Sequence, residues 1–143
     1  MSKIIYTNSD GTVSIIHPIG DINNAIKAVP SGLSYEIVED SAIPSDRSFR
    51  NAWKQNSKTI ETDMTKAREI HKTNIRNART PKLTELDVKF QKALETSAST
   101  TDIVSKKQAL RDAPADSGID SAKTEAELKA QWNTSILGTS PYT

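Results

Sequence analysis

Two histidines, His17 and His71, are the only side chains in this 143-residue chain whose ordinary pKa lies near neutrality, and cysteine is absent. A nucleophile–base–acid arrangement would have to be built on one of them. Neither has a supporting motif: His17 precedes Pro18 at the end of an apolar run, and His71 falls among charged neighbours in a helical pattern. Carboxylates gather at Glu36, Glu39 and Asp40 and again at Asp112, Asp116 and Asp120, without the spacing of a calcium loop. They read as solvated acidic loops. The five glycines are too scattered to cradle a phosphate. No catalytic residue, cofactor or metal ligand is expected. A small enzyme or metal-binding protein using His17 or His71 is the weakest of the readings kept.

The basic run Lys66, Arg68, Lys72, Arg76, Arg79, Lys82 could track phosphates along one helix. Glu61, Asp63, Glu69 and Glu85 interrupt it, and no aromatic is interleaved to stack on bases. It reads as a solvated face or a contact for an acidic partner, and nucleic acid is not the expected ligand. With 19 basic and 18 acidic residues the net charge is +1, so no global field steers the protein to a polyanion. No window approaches the roughly 20 apolar residues that span a bilayer, and no secretory pattern is seen at Met1. A soluble protein made inside a cell, with no membrane partner, is expected.

What must position these residues is an α+β chain. Ten of the fifteen isoleucines fall within the first 60 residues and six of the seven leucines beyond residue 80, which argues for strands first and helices after. Residues 3–7 and 12–16 alternate across Asn8-Ser9-Asp10-Gly11, a hairpin signal. Asp21 caps a short helix carrying Ile22, Ala25, Ile26 and Val29, and a third strand follows at 34–38, giving a small ββαβ unit over 1–43. Residues 44–62 form a junction with two readings. In one, Phe49 and Trp53 share a helical face; in the other, 51–54 and 58–62 pair as strands across Gln55-Asn56-Ser57.

Residues 63–137 read as helical. Asp63 caps a helix to about Arg79 with a stripe of Met64, Ala67, Ile70, His71, Ile75 and Ala78. Thr80 and Pro81 then open another, whose buried face is Leu83, Leu86, Phe90 and Leu94. The two helices are expected to form a hairpin or elbow at Thr80-Pro81. A Ser/Thr-rich break at 96–101 precedes a helix over 102–112 that Pro114 ends. Residues 115–123 read as loop, and Thr124-Glu125-Ala126-Glu127 is a capping box for a last short helix. Residues 138–143 are expected to be a tail that is mobile or draped on a neighbour. Trp53 reads as core, whereas Trp132 is equally a core plug or a partner anchor.

The segment Ile43-Pro44-Ser45-Asp46-Arg47-Ser48-Phe49-Arg50-Asn51-Ala52-Trp53 resembles a signature of small proteins of tailed bacteriophages and prophages. Asp63 to Arg68, Leu86-Asp87, Lys107 to Asp112 and Glu127 to Lys129 follow in the same order, across about two thirds of the chain. Gln108 to Pro114 is similar to the helical end of phage tail-fibre assembly and tail assembly chaperones. The resemblance implies a non-enzymatic protein that binds tail or tail-fibre components in the host cytoplasm during assembly. The alternative is a permanent structural component of the virion tail or baseplate. Phe49, Arg50, Trp53, Trp132 and Tyr142 are the contact residues this implies, with a phage tail or tail-fibre protein as partner and a homo-oligomer as a further association.

Overall fold

The computed structural model describes residues 1–142, which form two compact units, 1–67 and 68–142. The first is strand-rich and the second helical, the α+β class expected. Thr143, the last residue of the expected tail, lies outside the described residues.

In the first unit, β1 (Ser2–Thr7) is the middle strand of an antiparallel sheet, with β2 (Val13–Ile16) on one side and β3 (Tyr35–Glu39) on the other. The β1–β2 turn is built as its residues dictate. Gly11 takes a φ of +86°, and the Asp10 carboxylate accepts from the Thr12 amide at 2.9 Å. Between β2 and β3 lies α1 (Ile22–Ile26), whose first turn is capped by Asp21 accepting from the Asn23 amide. Ile4 and Ile5 point to opposite faces of the sheet, and both are fully buried, so β1 is covered on both sides. The elements packed on it besides its own sheet are α1 and β4 (Trp53–Asn56).

The junction takes the strand reading, and Phe49 and Trp53 do not share a helical face. A 3-10 turn over Arg50–Ala52 runs directly into β4, which pairs with β5 (Thr59–Thr62). The strand reading holds with a tighter turn, centred on Ser57 at a φ of +53°. Thr7 Oγ1 donates to Gln55 Oε1 at 3.0 Å, which places β4 on the Lys3, Ile5, Thr7 face of the sheet. The junction is therefore part of the first unit and not a linker. Phe49 and Trp53 supply its largest buried side chains, each worth about 1.5–3 kcal/mol of burial.

Asp63 caps α2 (Met64–Glu95), accepting from the Thr65 amide at 3.0 Å as its type and position predict. The expected break at Thr80-Pro81 does not occur: α2 is one 32-residue helix with Pro81 in its interior. Pro81 cannot donate to Asn77, but both residues are exposed, so water can reach the carbonyl that loses its donor. The helical hairpin exists with its turn at 96–100 instead. Ser97, at a φ of +56°, ends the helix in a Schellman motif: Ala98 N donates to Ala93 O at 2.8 Å and Ser97 N to Leu94 O at 3.3 Å. The chain then returns as α3 (Thr101–Asp112), antiparallel to α2, with Lys107 paired to Asp87 and Arg79 reaching the far end of α3.

Because α3 covers α2 from one side, the expected apolar face is only partly right. Leu83, Leu86 and Phe90 are half-buried and Ala93 is buried, but Leu94 is 54% exposed. The stretch 115–123 is not a loop throughout: α4 (Ser117–Ser121) is capped by Asp116. The capping box at Thr124 opens α5 (Glu125–Lys129), with Thr124 Oγ1 accepting from Glu127 N and Glu127 accepting from Lys123 N. A last turn, α6 (Thr134–Leu137), packs on α3. No helix among the described residues is long and apolar enough to cross a membrane.

Candidate functional site

The second unit is organised around His71, which the α2 stripe carries inward beside Ala67 and Ile75; it is 0% exposed. Its hydrogen bonds fix its tautomer. Nε2 lies 2.8 Å from the Gln131 carbonyl, which can only accept, so Nε2 carries the proton and Nδ1 is the acceptor. The Tyr142 hydroxyl donates to that Nδ1 at 2.6 Å and in turn accepts from Asn74 Nδ2 at 3.1 Å. Tyr142 stacks on the imidazole at 5.6 Å between centroids, Trp132 stands edge-on to both rings, and Lys129 Nζ lies 5.7 Å from the Tyr142 ring centre.

Burial pushes the His71 pKa below its ordinary value, against the smaller pull of the Gln131 carbonyl. Burial likewise raises the Tyr142 hydroxyl, against the Asn74 hydrogen bond. Both rings are neutral near pH 7, with every ring nitrogen and the hydroxyl committed. The pair is a latch between the C-terminal segment and α2. This corrects the expected mobile tail over residues 138–142. Trp132 is fastened too, donating from Nε1 to Gly138 O at 3.0 Å.

The basic run has a comparable internal use. Arg68 donates to Ala122 O at 2.6 Å, the C-terminal cap residue of α4, and Arg79 to Arg111 O at 2.9 Å, in the last turn of α3. Cations are favoured at helix C-termini because the terminal carbonyls lack amide donors and carry the negative end of the dipole. Lys72 pairs with Asp120 at 3.3 Å and with Glu69 at 3.8 Å. Arg76 stays exposed.

The carboxylates singled out in the sequence are similarly placed. Asp112 accepts from Gln108 Nε2 at 2.9 Å, Asp116 caps α4, and Asp40 pairs with Lys3 at 3.2 Å. Among the described residues, no three His, Asp or Glu side chains converge as a metal site would require.

Of the five expected contact residues, two are buried and three are half-buried. Phe49 and Trp53 are each 1% exposed and belong to the core of the first unit. Arg50 is half-buried with its guanidinium 5.6 Å from the Trp53 ring centre. Trp132 and Tyr142 are half-buried in the latch. The aromatic types that favour interfaces are also those that best fill a thin core, and here the core takes Phe49 and Trp53.

The open surface of the second unit lies elsewhere. A cleft of about 500 Å³ lined by residues of α2, α3 and α6 has Ile75, Ala109 and Leu137 as apolar lining and carries Asp112 and Asp116. A second hollow of about 280 Å³ is edged by Lys82, Lys89 and Lys106, with Glu85 among them. Ile136 lines both, so it forms an apolar ridge between an acidic and a basic compartment. The sequence signal for this was slight, since Ile136 stands in a short run whose only other large apolar residue is Leu137. No family model matches the chain, and neither a curated protein nor a solved structure does.

Proposed function

We propose that this chain is a non-enzymatic bacteriophage protein that binds tail or tail-fibre components, of the tail-fibre assembly chaperone type, acting in the host cytoplasm. The ordered resemblance from Ile43 to Lys129 supports the phage assignment. The observation that carries the binding role is the paired cleft: apolar lining, Ile136 ridge, carboxylates on one side and lysines on the other. A surface of this kind fits a protein segment with apolar side chains flanked by charges of both signs, and opposite potentials on its two sides set the direction in which that segment lies.

Co-expression with the product of an adjacent tail-fibre gene tests the reading. The two proteins are expected to co-purify, and Ile136→Glu, which places a charge on the ridge, is expected to lower the yield of complex at least tenfold while circular dichroism stays unchanged. Failure of the wild-type protein to retain any fibre product would end the proposal. Stoichiometric copies in purified particles would replace the chaperone role with that of a permanent virion component.

A further inference from the structure

We propose that the free edge of β3 is a homodimer interface, in which two copies pair antiparallel about Ile37 to make one six-stranded sheet. The first step is the direction of the backbone groups. Asp40 N donates to Met1 O, and the pairing of β1 with β3 runs Ser2 with Glu39, Lys3 with Val38, and on to Tyr6 with Tyr35. Hydrogen-bonded pairs alternate along an antiparallel ladder, so Asp40, Val38 and Glu36 address β1, while the amides and carbonyls of Tyr35, Ile37 and Glu39 point away from the sheet. The other side of β1 gives a check. Asn8 N donates to Thr12 O, which makes Tyr6–Ser14 and Ile4–Ile16 the bonded pairs with β2, the alternate set on β1.

The outward set is self-complementary. A two-fold axis through Ile37 sets Ile37 against its copy and Tyr35 against Glu39 of the other chain, so the three outward residues of each strand find donors and acceptors in the other. The same register solves the apolar exposure. Tyr35 and Ile37 are 40% and 39% exposed on one face, and the axis brings both pairs together there.

Charge decides between a second copy and a basic foreign strand. Glu39 and Asp40 are already satisfied within the chain, by Ser2 Oγ at 3.1 Å and Lys3 Nζ at 3.2 Å. Glu36 has no such partner among the described residues, and in this register it faces Val38 of the other copy, with its own counterpart on the diagonal at about 7–8 Å. Like charges never stand directly opposite. The sheet's other edge, β2, is approached by β4, whereas β3 packs substantially on β1 alone.

The proposal rests on the sheet alone and is tested on the purified chain without any phage partner. Sedimentation up to about 1 mM protein is expected to show the mass doubling, a range that captures even weak association. Added salt is expected to tighten the dimer by screening the Glu36 pair, and Glu36→Gln to tighten it several-fold.

Ile37→Pro is the decisive variant. It deletes an outward amide and leaves the Glu36 and Val38 ladder to β1 intact, so the fold is expected to persist by circular dichroism while the dimer is lost. Should Ile37→Pro unfold the chain, Ile37→Lys removes the dimer by placing like charges on the axis. Ile37→Cys supplies an independent readout: a hydrogen-bonded pair holds its Cα atoms about 5.5 Å apart, within disulfide range, in a chain with no other cysteine. A monomer across the whole range, a dimer that survives both Ile37→Pro and Ile37→Lys in folded protein, or no oxidised dimer of Ile37→Cys would each overturn it. A monomer whose Ile37→Pro variant loses a fibre protein would assign the edge to a foreign strand instead.

Discussion

The Tyr142 hydroxyl donates to His71 Nδ1 at 2.6 Å across 71 positions of sequence, and the imidazole passes the constraint on through Nε2 to the Gln131 carbonyl. One aromatic pair thus ties the end of the described chain to the first half of α2. Tyr142→Phe keeps the stacked ring but leaves Nδ1 without its donor. It is expected to cost about 1–3 kcal/mol in urea denaturation, the penalty of a buried polar group left unmatched. An unchanged midpoint would show that the latch does not bear on stability.

The same pair predicts how stability follows pH. The unfolded imidazole titrates near 6.5, and burial lowers the folded value beneath it, so between the two the unfolded chain binds more protons. The His71 contribution is full above pH 6.5 and is lost as pH falls through the folded pKa. In His71→Gln that portion of the pH dependence should disappear, leaving only the carboxylate-driven decline at lower pH. An identical slope in both proteins from pH 7 downward would contradict the assignment of a neutral buried ring.

Pro81→Ala distinguishes a continuous α2 from two helices meeting at Thr80. In a helix interior the substitution restores an amide donor to Asn77 O and is expected to stabilise the protein by about 1–3 kcal/mol. At a first helical position it would instead be neutral or mildly destabilising. Thermal unfolding gives the sign.

Trp53 offers a test of core against contact. Trp53→Ala is expected to cost about 3–5 kcal/mol through the cavity it leaves. Trp53→Phe should cost much less, because indole Nε1 is buried without an acceptor among the described residues and its removal relieves that penalty. If both variants kept full stability and lost only partner binding, Trp53 would be an anchor after all.

The sequence was legible where a residue's local chemistry and its tertiary setting agree. Asp21, Asp63, Asp116 and Thr124 all cap helices, three of them at the starts read from their type and spacing. The hairpin at Asp10-Gly11 needed no more than a positive φ and an apolar alternation to be seen. Thr80-Pro81 misled because a cap followed by proline is locally indistinguishable from a proline tolerated on an exposed side of a longer helix; α3, far along the chain, decides the matter. The turn at Ser97 was masked for a related reason, since the left-handed cap position is filled by serine in place of glycine. Of the candidate site, Asp112 and Asp116 were visible as an acidic group, and of its lysines only Lys82, as the end of the basic run. Their division by Ile136 was not, because it depends on where α6 lies against α3.

Arg68 and Arg79 hold main-chain oxygens and not carboxylates. A guanidinium stays protonated at any physiological acidity and a peptide carbonyl has no titration of its own, so these two stitches ignore proton concentration altogether. Added electrolyte screens a charge held against a dipole in contact far less than it screens separated ions. The helical unit is therefore clamped in part by a form of electrostatic bond that neither acid nor brine readily loosens, alongside fastenings of another kind, the His71 imidazole and the Lys72–Asp120 and Lys107–Asp87 ion pairs.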